Sequence, residues 1–284
     1  MKYPPVKSCI YCGNKHGILG DEHIIPLSLN GAMILPKASC KTCEKETHKY
    51  EHTVARRIFG HFRIKYDVKT RRKNKRPKQI EIGTIDSSGN IGKRIIPYKE
   101  CPVTLIMYKF QECDYLKGNT EEQSIFNWIP ITIYSKNELD KLIENYNWDR
   151  KIEFKAVPNE FARMIAKIAY SYIVAELGLE GFIPYKPLID VILNRSDNIS
   201  YLIGGDWDIP PPDPAGYHHL EWMAKINNNS ADIIVQIRLF PAFETPKYRV
   251  VVGKIDLADP IQRIIFDNKV KDVLRNGTGK IIDP

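Results

Sequence analysis

The stretch CIYCGNKHGILGDEHIIPLSLNGAMILPKASCKTC, residues 9–43, decides how this chain is read. It opens on Cys9-x-x-Cys12 and, after 27 intervening residues, closes on Cys40-x-x-Cys43. Two such knuckles supply four soft thiolates, the donor set of a closed tetrahedral Zn²⁺ site. Residues 1–60 contain only short apolar runs, so a structural zinc would stand in for a core they lack. The alternative is four free thiols buried as small hydrophobes. In a reducing compartment, paired thiols point to metal before disulfide.

Outward from this stretch, "KTCEKETHKYEHTVARRIFGHF" has no proline and repeats Tyr50, Val54 and Ile58 every four residues. That spacing predicts a helix over 41–59, with Gly60 as its stop. The run "KTRRKNKRPK" at 69–78 has no apolar residue and reads as an exposed arm. It divides the chain into 1–68, a basic arm at 69–80, and 81–284. Residues 1–80 carry 18 Lys and Arg against 6 Asp and Glu, whereas the rest carries 24 against 28. This asymmetry is that of a polyanion-binding N-terminal part, or of a solvated basic surface.

The remainder predicts an α+β domain with antiparallel strands and core helices. Strands are expected at 101–110 and 126–135, and a helix opened by the Ser135/Glu138 capping pattern. A core helix is expected over 158–178, its apolar stripe formed by Phe161, Ile165, Ile168 and Tyr172. A three-strand meander is expected from "HLEWMAKI", "ADIIVQIRLF" and "KYRVVVGKI". No apolar run is long enough to span a bilayer, and "MKYPPVKSC" lacks the apolar centre of an export signal, so a cytoplasmic protein is expected.

Between the knuckles stands Glu22-His23-Ile24-Ile25-Pro26. With Cys9, Cys12, Cys40 and Cys43 in this order, the first 60 residues resemble the zinc-bound group of HNH endonucleases. The resemblance implies a ββα-metal module at the N-terminus: a hairpin carrying the histidine, a helix carrying further metal ligands, and a zinc clamping the outside. It also implies metal-dependent hydrolysis of DNA phosphodiesters to 5′-phosphate and 3′-hydroxyl ends. His23 would be the general base, since its pKa lies near the working pH. Glu22 would hold a catalytic Mg²⁺ or Mn²⁺ that stabilises the leaving 3′-oxygen. Adjacent strand residues face opposite ways, so both can serve one site only where the strand bends or ends.

The chain departs from the family pattern at two places. Glu44 stands where asparagine often follows the last knuckle cysteine, with His48 one turn on as a further candidate ligand. Ile34 and Leu35 occupy the place of the loop asparagine, leaving Asn30 as the nearest candidate to orient His23. Arg56, Arg57 and Arg63, with Arg71, Arg72, Lys73, Lys75 and Arg76 of the arm, are expected to contact phosphates. Asp21 is read as a turn residue, and no role is assigned to His218 or His219.

The rival expectation is a non-catalytic zinc protein that binds nucleic acid. Both readings leave open a homo-oligomer and a protein or small-ligand regulator acting through residues 81–284.

Overall fold

The computed structural model describes residues 1–68, 76–102, 104–121, 126–146, 155–276 and 280–282. The first elements are an antiparallel hairpin, β1 (Leu19–His23) and β2 (Ile34–Cys40), running without a break into helix α1 (Lys41–Arg57). Its turn is built by Pro26, a single 3₁₀ turn over Leu27–Leu29, and Asn30 in the left-handed region at φ +68°. Gly31 follows because a Cβ there would lie 1.9 Å from the Ile25 carbonyl oxygen.

Helix α1 buries Cys43, Thr47, Tyr50 and Val54, spaced four, three and four apart, so one face is core. Gly60 does not end it as expected. The helix stops at Arg57, and a short α2 (Gly60–Lys65) starts at that glycine. The cause is tertiary: Phe59 and Phe62 are buried against Phe240, with ring centroids 5.4 and 4.4 Å away.

Two hairpins follow, β3 (Gln79–Ile85) with β4 (Ile91–Pro97) and β5 (Thr104–Phe110) with β6 (Trp128–Tyr134). Then come α3 (Lys136–Tyr146), α4 (Pro158–Leu177), β7 (Ile183–Pro184), α5 (Lys186–Ile192) and β8 (Ile203–Gly205). The expected meander is present as β9 (His218–Asn227), β10 (Ser230–Leu239) and β11 (Tyr248–Asp256), all antiparallel. Helix α6 (Pro260–Asn276) and β12 (Lys280–Ile282) close the described chain. The mixture of helix and antiparallel sheet is the α+β class expected.

Helix α4 departs from the single stripe. It is buried nearly all round, packed against α1, α5, β10 and β11. Each fully buried aromatic or branched side chain on it contributes about 1.5–3 kcal/mol. Its burial takes Arg163, Lys167 and Ser171 inside with it, so each needs a polar partner. One continuous core runs from Cys9 and Ile24 through α4 to the sheet. The ring of Tyr11 lies 5.9 Å from Tyr170 and that of Phe59 lies 6.4 Å from Phe161. Burial therefore supports residues 1–60 after all, with α4 as the supplier.

His218, given no role by sequence, also joins the two parts. Its half-buried ring donates from Nε2 to the Leu29 carbonyl at 2.7 Å, and loss of solvent around it pulls its pKa down to about 4. Among the described residues no helix is long and apolar enough to cross a membrane.

Candidate metal centre and the Glu22 cluster

The four knuckle cysteines converge: all four Sγ atoms lie within 4.8 Å of one another. Cys12 and Cys40 are 3.7 Å apart, far beyond a disulfide. A tetrahedron with Zn–S bonds of 2.3 Å has edges of about 3.8 Å, so this spacing fits a metal such as zinc. Local chain geometry explains the convergence. Gly13, at φ +72°, lets its N–H turn back to the Cys9 carbonyl at 2.9 Å, while Ile10 N–H pairs with Ala38 of β2 at 2.8 Å. Cys40 ends β2 and caps α1, which puts Cys43 in the first helical turn. A hydrogen bond from the Cys43 thiol, with backbone N–H groups of the knuckles, pulls Cys9 down to about 4. Thiolate character of this kind is what a soft cation needs.

Glu22 and His23 sit on the last two positions of β1, where the strand ends. The register shifts between Gly20 and Glu22: their partners on β2 are Ser39 and Leu35, so β2 carries the extra residues. Lys37 takes the left-handed conformation there, and its N–H reaches Asp21 Oδ1 at 3.3 Å. Asp21 thus serves the bulge. Such an irregularity re-aims neighbouring side chains, and β1 ends at His23.

Glu22 nevertheless does not stand exposed at the strand end. It is only 6% exposed, and its Oε1 lies 2.5 Å from Lys167 Nζ of α4. The same ammonium lies 2.9 Å from Oε1 of Glu51 on α1 and donates to the backbone carbonyl of His23. Burial pushes Glu22 upward against the pull of Lys167, and Glu51 adds to the rise. Burial disfavours the charged lysine, but the two carboxylates outweigh it and hold Lys167 above its ordinary value. Tyr11 and Tyr50 close the cluster and are themselves raised by burial and by the two glutamates. His23 is half-buried beside it.

Glu44 and His48 do not join this cluster. Glu44 is half exposed and paired with Lys41 at 3.0 Å, and its carboxylate lies beside Gly20 rather than Glu22. His48 is exposed and lies 5.9 Å from the ring of His52. Among the described residues, the four cysteines are the one group of three or more ligand side chains close enough to share an ion. Asn30 occupies the left-handed turn position, its N–H on the Leu27 carbonyl, and so has a backbone task of its own.

The expected phosphate contacts divide. Arg56 and Arg57 are exposed. Arg63 caps α1 through the Ala55 carbonyl at 3.2 Å, and Arg76 is committed to Asp67 and the Val68 carbonyl. Arg71, Arg72, Lys73 and Lys75 lie outside the described residues. Three basic positions given no role by sequence, Lys41, Lys45 and His52, share the exposed face of α1 with His48 and Arg56. Their spacing of four, three, four and four was a readable signal. No protein-family model, curated protein or solved structure matches this chain.

Proposed function

We propose that this chain is a metal-dependent endonuclease of the HNH type acting on DNA. The observation that carries the reading is the order hairpin, helix and four-cysteine cluster, with Glu22-His23 at the end of β1 above α1. His23 takes the proton from the attacking water, and its position at the strand end keeps it beside the Glu22 cluster. The basic face of α1, from Lys41 to Arg56, grips the backbone phosphates without choosing sequence. Oxygen donors at Glu22 suit Mg²⁺ or Mn²⁺, which when bound would stabilise the departing 3′-oxygen. The four cysteines would hold zinc and fix the helix to the hairpin.

One observation favours the second reading, a zinc protein that binds nucleic acid without cutting it: Glu22 is already engaged by Lys167. The readings separate in one assay. Whole protein incubated with plasmid and Mn²⁺ or Mg²⁺ should nick or cut it, leaving 5′-phosphate and 3′-hydroxyl ends. Plasmid binding that needs no added divalent ion, with no cleavage under either metal, supports the second reading instead.

A further inference from the structure

The Lys167 side chain is 1% exposed, and it comes from a helix more than a hundred residues downstream of the hairpin. Three oxygens lie close around its ammonium, Glu22 Oε1 from the hairpin, Glu51 Oε1 from the helix and the carbonyl of His23, with the Ile24 carbonyl further off at 3.5 Å. Two carboxylates and a backbone carbonyl form the donor set of a hard divalent cation. One ammonium meets two carboxylates in a nearly closed site. Beside them the hydroxyl of Tyr50, a residue 3% exposed, is buried without a hydrogen-bond partner and lies in the field of both glutamates. Tyr50 also lines a cleft of about 480 Å³ between α1 and the start of α4, with Thr53, Asn159 and Arg163.

We propose that Glu22, Glu51 and the His23 carbonyl form the cation site of the hairpin–helix module, and that the Lys167 ammonium is its resident occupant, against which a divalent ion must compete while α4 is docked. Glu51 then takes the role expected of Glu44 or His48. It lies seven residues beyond Glu44, two turns along the same side of α1 and about 10 Å further from the cysteine cluster. The C-terminal part becomes a restraint on the module, since α4 carries the ammonium that competes for the site. This inference rests on reading Glu22 as an ion ligand, and the test keeps it apart from the nuclease reading.

Mn²⁺ binding is measured by electron paramagnetic resonance on the full chain, with zinc content checked, for wild type, Lys167→Met and Lys167→Met/Glu51→Gln. The expected result is one Mn²⁺ per chain bound at least tenfold more tightly by Lys167→Met than by wild type, with the gain lost in the double variant. A folded Lys167→Met that binds no tighter, or a gain that survives Glu51→Gln, overturns the proposal. Should Lys167→Met not fold alone, refolding on addition of Mn²⁺ supports it and failure to refold overturns it. Plasmid cleavage by the same proteins separates the two ideas. Tighter Mn²⁺ binding without cleavage leaves the cation site and removes the nuclease, whereas cleavage equal in Lys167→Met and Lys167→Met/Glu51→Gln removes the cation site alone.

Discussion

At the residue scale, two groups from distant parts of the chain hold the hairpin in place, and they answer to pH in different ways. His218 is folded in its neutral form, donating to the Leu29 carbonyl, with a pKa near 4 against an ordinary 6.5. Between those values the unfolded chain takes up a proton that the folded chain refuses, so stability is whole above pH 6.5 and falls as pH drops toward 4. The shift corresponds to about 3 kcal/mol. Denaturant unfolding at pH 7 and pH 4.5 should therefore show a smaller acid loss in His218→Gln than in wild type, and equal losses would refute this role. Lys167 keeps its charge throughout that window, whereas burial makes Glu22 take up its proton earlier in acid than an ordinary carboxylate. Part of the residue-level arrangement was legible in sequence: the knuckle spacing announced the thiol cluster, and Glu22-His23 falls where β1 ends. Glu51 and Lys167 were not legible, because Glu51 looks like any acid on a charged helix. Lys167 sits in a stripe whose neighbours, Ile165 and Ile168, gave no hint that the lysine between them pointed inward too.

At the scale of the element, α1 does two jobs on two faces. Cys43, Thr47, Tyr50 and Val54 hold the core, while Lys41, Lys45, His48, His52 and Arg56 line the exposed side. Burial and the neighbouring Arg56 lower the pKa of His52, so it adds little charge near neutral pH and the lysines and Arg56 carry the attraction. Replacing Lys41, Lys45 and Arg56 together by Gln should weaken DNA binding for every sequence tested. It should also flatten the dependence of log affinity on log salt by about 2 to 3 units. An unchanged slope would place the nucleic acid elsewhere. Helix α4 teaches the complementary lesson about legibility. Its stop was plain from Gly178, whereas its start lies at Pro158 with Val157 as the cap, ahead of the Asn159 cap that sequence suggests, and its burial on every side depends on α1 and the sheet closing around it.

Across the whole molecule, a metal-sized thiol cluster and a continuous apolar core share the work of holding residues 1–68. A structural zinc site contributes on the order of 10 kcal/mol, while α4 and the Phe59, Phe62 and Phe240 contacts fasten the same segment to the sheet. Metal removal by a strong chelator should therefore loosen the knuckles without melting the meander. Hydrogen exchange is expected to accelerate over residues 9–43 and to stay slow over β9, β10 and β11, and uniform protection after chelation would contradict a structural metal. The division at 69–80 read from the charge run follows composition, whereas the core crosses it through contacts far apart in sequence, which no local pattern could announce.

The central claim is that His23 activates water beside a cation held at Glu22, and the plainest measurement of it is plasmid cleavage in Mn²⁺ by wild type and by His23→Ala. Both proteins must show matched zinc content and matched thermal unfolding. Wild type should cut, and His23→Ala should lose at least a hundredfold in rate. Cleavage by His23→Ala at the wild-type rate would contradict the account.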